Sequence, residues 1–398
     1  MSNPDLATNI PATHADPSLE TPDEVSGTLT GESRAEAEAA VASQWQLIWW
    51  RFVKHKVALA SGLLILTLYL LAIFAEFFAP YEPNERDFRN AYMPPQAIHF
   101  FSEDGFQLRP FVYSVDRQLS FTTGRAEYSE DRSERHGVQF FVTSEPYQLL
   151  GFIPANIRLF GVEDGATIYL WGTDSVGRCV LSQTIHGARI SLFIGLLGVF
   201  ISLILGVTIG GISGYIGGVV DNAIQRVIEI IRAFPSLALW MALAAALPPT
   251  WTQMQVYFAI IVILSLIGWT TLAREVRGKM LSLRQEDFIT AARLNGCGVM
   301  RLLRVHMVPS FTSHVIATLT LAVPAMILAE TALSFLGIGL ARPIVSWGVL
   351  LQQAQNVEAL MAAPWLFLPG VVLVITVLAF NFLGDGLRDA ADPYSRHA

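Results

Sequence analysis

The sequence predicts an all-α integral membrane protein with six transmembrane helices and a small, mostly β, extracytoplasmic insertion. Three observations carry that expectation. Of 398 residues, 53% are hydrophobic and only 15% charged, with positive mean hydropathy, the balance of a membrane protein. Apolar runs at 57–78, 190–212, 223–247, 256–272, 315–336 and 365–382 approach or exceed the length that crosses ~30 Å of hydrocarbon. Between the first two runs, the non-membrane segment 81–187 carries strand-like pieces at 111–115, 138–142, 157–160 and 167–171. Asp104-Gly105 and Asp164-Gly165 there are hairpin signals.

Residues 1–43 are rich in Ala, Pro, Ser, Thr and acids, with Arg34 the only base. That composition favours a disordered tail, and no basic segment precedes an apolar run there, so it is not a signal peptide. The unit 44–80 opens amphipathically. Trp45, Ile48, Trp49 and Phe52 share a helical face, and Arg51, Lys54, His55 and Lys56 supply charge. An interfacial helix feeding the first span fits this pattern, and its basic cluster puts the N-terminus in the cytoplasm. The 81–187 insertion reads as irregular between Ser120 and His136. Its mixed charges name no ligand.

The second span opens a five-helix core, 188–387. Gly206, Gly210, Gly214 and Gly218 recur every four residues, a strip that lets helix backbones approach closely. Packing is the first reading of it and pore lining the second. The third span begins with Arg226, Glu229 and Arg232, an ion-pair triad by spacing, and Pro235 predicts a kink. Glu330 is a lone acid in the fifth span. Such a group costs ~2.5–3.5 kcal/mol on insertion scales unless it meets a partner or water. A gate on the pathway and a hydrogen-bonded structural acid both remain open, so Pro235 and Glu330 are the translocation candidates. In the loop 274–311, Arg274, Arg277, Lys279, Arg284, Arg293, Arg301 and Arg304 outnumber Glu275, Glu286 and Asp287. This is a cytoplasmic signature, and it agrees with both termini, including the tail 388–398, lying inside.

Several functions are excluded. A net charge of −7 leaves no footprint for nucleic acid. There is no P-loop, no C-x-x-C and no H-E-x-x-H, so neither a metal site nor a bound cofactor is expected on this chain. Cys179 and Cys297 fall in loops on opposite sides of the membrane, so no disulfide joins them.

Within the loop, the run 286–309, EDFITAARLNGCGVMRLLRVHMVP, is basic and helix-prone. Phe288, Ile289, Ala292, Leu294, Val299, Leu302 and Leu303 recur at roughly helical spacing. Gly296 and Gly298 split the run into two short amphipathic helices about a glycine turn. A stretch lying on the membrane surface is the plain reading. The order Ala291-Ala292, three residues, Gly296, then His306-Met307-Val308-Pro309 resembles the EAA loop of ABC importer permeases, with Thr290 where the namesake Glu often stands. Gly172-Thr173-Asp174-Ser175-Val176-Gly177-Arg178 is similar to the run before the transmembrane core in the dipeptide/oligopeptide group, with Cys179 where Asp is common. Phe234-Pro235 and the runs 214–221, 333–337 and 383–393 also match. The resemblance covers about 49–394 and is loosest over 93–170.

The resemblance implies the ABC type I importer permease fold and a subunit of an ATP-driven importer that performs no covalent chemistry itself. It implies a coupling helix in which Thr290, Ala291, Ala292, Arg293, Gly296, Arg301, His306 and Pro309 dock on a separate ATPase, the small face of Ala291, Ala292 and Gly296 allowing close approach. Implied partners are a second, similar permease, two cytoplasmic ATPases that hold ATP and Mg, a periplasmic solute-binding protein and the lipid of the bacterial inner membrane. A di- or oligopeptide-like solute is the first substrate reading, a short oligosaccharide or opine-like solute the second. An ion-coupled secondary transporter would show paired repeats with interrupted helices, and no internal repeat is present. A membrane-anchored enzyme or receptor would carry its function in 81–187, where no nucleophile–base or metal constellation is recognisable.

Overall fold

The computed structural model describes residues 44–102, 105–119, 126–162, 166–298 and 301–391. The acidic tail 1–43, the Asp164-Gly165 signal and the terminal residues 392–398 lie outside them. The chain divides into units 1–51 and 52–398. In the first, only the start of helix α1 (Gln44–Lys54) is described.

Helix α2 (Lys56–Ile73) begins at His55, whose Nδ1 accepts the Ala58 amide at 3.1 Å and so satisfies one of the orphan donors of the first turn. A short turn, α3 (Ala75–Phe78), follows. Arg189 of α4 (Val180–Ile216) then closes this end. Its guanidinium forms two 2.7 Å bonds to Glu76 and donates to the carbonyls of Ala72 and Ile73 at 2.8 Å. Burial pushes the Glu76 carboxyl up, but the bonds from Arg189 and the backbone outweigh it, and the group sits below its ordinary value. A lowered folded pKa means stability present above the ordinary carboxylate value and lost as pH falls through the lowered one. Arg189→Met is expected to cost about 1–3 kcal/mol. Thermal unfolding of the detergent-solubilised chain checks it, with the variant's midpoint lower at neutral pH and less sensitive to acid.

The insertion holds two antiparallel sheets. One has the order β1 (His99–Ser102), β2 (Gly105–Leu119), β3 (Ala126–Gly137); the other pairs β4 (Gln139–Leu149) with β5 (Ile153–Gly161). Strand β3 corrects the reading of 120–136 as irregular: it pairs with β2 from Leu119↔Ala126 to Phe111↔Gly137. Its sequence, AEYSEDRSERHG, contains few strand formers, so the pairing rather than local propensity makes it a strand. Conversely, 167–171 joins no ladder. Gln96 takes up its backbone instead, with the Tyr169 amide donating to Gln96 Oε1 at 2.6 Å and the Gln96 amide donating to the Tyr169 carbonyl at 3.0 Å.

The core helices are α4, α5 (Gly218–Ala233), α6 (Ser236–Ala245), α7 (Gln253–Leu283), α8 (Asp287–Leu294), α9 (Thr312–Phe335), α10 (Trp347–Gln353) and α11 (Leu368–Ala391). Among the described residues five helices are long and apolar enough to cross a membrane, and α5 with α6 makes a sixth only if the pair counts as one span. The two are bent by 84° at Phe234-Pro235. Proline has no N–H to continue the ladder and forces the residue before it out of the helical region, and Phe234 is extended at ψ 141°. A broken pair therefore replaces the single kinked helix expected over 223–247. The charge triad also resolves differently. Arg226 pairs with Glu229 at 2.8 Å, whereas Arg232 donates to Thr271 at 3.3 Å. Both members of that pair are exposed, so it contributes little.

Ile194 of α4, Ile260 and Leu264 of α7, Ile327 and Leu333 of α9 and Phe380 of α11 form the main core. Three glycines set α4 against α7. A Cβ on Gly206 would lie 2.8 Å from Leu272 Cβ, one on Gly210 2.9 Å from Ala273 Cα, and one on Gly214 2.6 Å from Met280 Cβ. Gly218 is not on that face. It starts α5 at φ +61° with nothing within 4 Å, so it serves the turn rather than the packing.

Candidate functional site

Helix α7 does not stop where its sequence turns basic. It runs through Arg274, Arg277 and Lys279 to Leu283, because a helix leaving the membrane keeps its own hydrogen bonds whatever its side chains are. Glu286 then precedes α8, with Asp287 in the first turn and Arg293 in the last, both matched to the helix dipole. Gly296 ends α8 in a Schellman motif. It adopts φ +73°, its amide donates to the Arg293 carbonyl at 2.9 Å, and the Cys297 amide donates to the Ala292 carbonyl at 3.1 Å. The left-handed position explains why glycine is needed there.

Ile289 is fully buried and Ala292 partly so, in a cluster with Val276 and Met280 of α7, Leu302, Met307 and Phe311. The expected second amphipathic helix is a π-helical turn, Leu302–Met307, which buries its first and last residues. Thr290, Ala291, Arg293, Leu294, Gly296, Arg301 and Pro309 are exposed, and His306 is half-buried. The small residues thus do not share one outward face, since Ala292 turns inward. Sequence reasoning missed Leu294 as a surface residue. It is 85% exposed although counted in the apolar stripe. The signal was present, because five residues from Ile289 is about 140° around the helix.

Two contacts tie this segment to the membrane helices. The Arg293 guanidinium lies 5.1 Å from the Tyr215 ring centroid at the end of α4, within cation–π range. Arg277 of α7 grips Asp221 of α5 through two 2.5 Å bonds, and Asp221 also accepts the Ser213 hydroxyl of α4. Bidentate Arg–carboxylate pairing fixes orientation as well as distance.

A cavity of about 460 Å³ lies among α4, α6, α7, α9 and α11, with Ser202, Thr271, Glu275, His314, Thr318 and Arg388 as its polar lining. Neither Pro235 nor Glu330 lines it. Pro235 sits in the break between α5 and α6. Glu330 is 0% exposed, and one carboxyl oxygen accepts the Ser334 and Ser346 hydroxyls at 2.8 and 2.7 Å, binding α9 to the start of α10. On the insertion side, Asp174 is buried and gathers the Val176 and Arg178 amides, the Arg178 side chain at 2.7 Å and Arg342 at 3.5 Å. Burial and the neighbouring Arg178 push Arg342 down to about 10. Burial also pushes the Cys179 thiol up, away from the thiolate a redox sensor needs. Cys179 and Cys297 are both free thiols, and no group of three metal-ligating side chains occurs among the described residues.

Comparison with known proteins follows from this geometry. Residues 206–397 match the family described as binding-protein-dependent transport system inner membrane component, and residues 43–95 match the N-terminal TM domain of oligopeptide transport permease C. The oligopeptide transport system permease protein OppC of Bacillus subtilis (strain 168) is 31% identical, over 89% of this chain and 91% of that one. The chain belongs to the ABC importer permease family. The B. subtilis dipeptide transport system permease protein DppC is 29% identical to this permease over 92% of each. DppC of Haemophilus influenzae is 30% identical over 87% of the permease and 94% of its own length. An inward-facing structure of the MetNI methionine ABC transporter aligns at 20% identity over 53% of the permease and 97% of that chain, with TM-score 0.42. The permease is thus a multi-pass inner-membrane transport component. In its family ATP is used by separate ATPase partners.

Proposed function

We propose that this permease forms half of the translocation pathway of an importer for di- or oligopeptide-like solutes, with α8 as its docking helix for a cytoplasmic ATPase. The single observation that carries this reading is the division of α8. Ile289 and Ala292 bind it to α7 and the π-helical turn, and Arg293 lies over Tyr215 of α4, while Thr290, Ala291, Leu294 and Gly296 are exposed. A short helix that is clamped on one side and offers small residues and a large apolar residue, Leu294, on the other suits a protein partner. In this reading α5 and α6 make one span of six, both termini and α8 are cytoplasmic, and the insertion faces the periplasmic binding protein. A second permease completes the cavity between α4, α7 and α9. ATP-driven closure of the two ATPases moves α8, and α7 carries that motion to the cavity. The peptide reading is supported by its similarity to dipeptide and oligopeptide transport system permeases.

Affinity purification of the tagged chain from gently solubilised membranes tests the reading. A second permease and an ATPase are expected to co-purify. Recovery of the chain alone after cross-linking in intact membranes would overturn it.

A further inference from the structure

We propose that the β4–β5 hairpin is a membrane-interface anchor, its tip immersed in the lipid leaflet beside the end of the first membrane helix. The β2–β3 and β4–β5 hairpins of the insertion differ in charge. β2 and β3 carry nine charged residues: Arg109, Asp116 and Arg117 on the first, Glu127, Glu130, Asp131, Arg132, Glu134 and Arg135 on the second. From Gln139 to Gly161 there are two, Glu145 and Arg158. Phe140, Phe141 and Phe152 are exposed there, Phe152 by 73%. Exposed apolar clusters of this kind mark interaction or membrane sites, and the β1–β2 hairpin carries another in Phe101, Phe106 and Leu108.

The turn itself is unsuited to water. Leu150 and Gly151 both adopt positive φ, at 56° and 80°, and the Phe152 amide donates to the Leu149 carbonyl at 3.3 Å. Two central residues at positive φ are what a type I′ hairpin turn requires, and Asn-Gly or Asp-Gly is its usual sequence. Here the run is Leu-Leu-Gly-Phe-Ile, with a bulky side chain where one is rarely tolerated. Transfer of that tip into an apolar medium offsets the strain.

Geometry holds the hairpin next to the end of the first membrane helix. Near its base, the Arg158 guanidinium donates to the Pro80 carbonyl at 2.5 Å, and the Phe141 ring lies 6.3 Å from Phe77. Closer to the tip, Tyr147 and Gln148 border a pocket of about 310 Å³ with Glu76 and His186. His186 lies one turn from Arg189, which holds the last carbonyls of α2. These contacts hold the hairpin beside the residues that follow the first membrane helix. Aromatic residues at such a boundary bury their rings while backbone and polar tips stay wet.

The test uses the full chain in nanodiscs of phosphatidylethanolamine and phosphatidylglycerol, in a Cys297→Ser background that leaves only the buried Cys179. Nitroxide labels at Phe152→Cys and Asp131→Cys are compared by collision with oxygen and with a water-soluble nickel chelate. The Phe152→Cys label is expected to favour oxygen, at a depth of roughly 5–10 Å, and the Asp131→Cys label to favour nickel. A Phe152→Cys label that meets nickel as readily as the other, or that is shielded from both reagents by a protein, would overturn the proposal. Neither reading depends on transport or on the ATPase, so failure here leaves the importer reading standing.

Discussion

Gly296→Asp is expected to leave the permease inserted and folded, yet to reduce uptake to background. A Cβ at Gly296 meets nothing within 4 Å, so the added group clashes with no residue described here. Its φ of +73° imposes a local penalty of about 1 kcal/mol, and Asp and Asn are the non-glycine residues that best tolerate it. A penalty of that size does not unfold a membrane protein. In the docking reading, complete loss of uptake comes from bulk and charge pressed against the ATPase. Gly296→Asn separates the two by keeping bulk without charge. Leu294→Ala is the companion: truncating a central apolar anchor costs about 2 kcal/mol of docking, roughly thirtyfold in affinity. Uptake assays with co-purification of the ATPase read both effects. Normal uptake by Gly296→Asp would sink the docking assignment.

Gly210→Val is expected to act on folding instead. The obstacles are backbone atoms, the Ala273 carbonyl and Cα, which cannot rotate away as a side chain end can. Overpacking of this kind costs typically 1–3 kcal/mol, and the rigid neighbours put Gly210→Val at the upper end. Gly211→Ala, one residue along, meets only the Met280 methyl at 3.8 Å and is expected to be neutral. Thermal unfolding in detergent compares the two. Equal midpoints would mean that α4 and α7 are not held together at this glycine.

The membrane helices were legible because crossing a bilayer is a matter of length and apolarity, both written locally. Their ends were not. The basic residues of α7 suggest a loop at Arg274, yet the ladder continues to Leu283, since backbone bonds do not sense side-chain charge. Pro235 marks a break in the sequence, but an 84° turn depends on what each half packs against. Strand β3 was invisible because its partner β2, not its own composition, orders it. In α8 the glycine stop could be read from Gly296 alone. The outward placement of Leu294 needed the angle from Ile289, which a list of apolar positions at roughly helical spacing does not supply. The Leu150-Gly151 turn escaped because turn chemistry is ordinarily polar.

Helix α7 has 31 residues. At 1.5 Å each it is about 46 Å long, some 16 Å more than the hydrocarbon it crosses. The surplus works as a lever arm. Its end carries α8, and its last third, from Leu272 to Met280, packs on α4 at Gly206, Gly210 and Gly214. A tilt of the α4–α7 pair by about 5° about its outer end displaces the inner end by on the order of 4 Å over the full ~46 Å, roughly the diameter of a methyl group. If α8 is the docking helix, a push of that amplitude is met at the cavity by a rotation of a few degrees. The permease needs no large rearrangement of its packed centre to register what happens beyond the membrane surface.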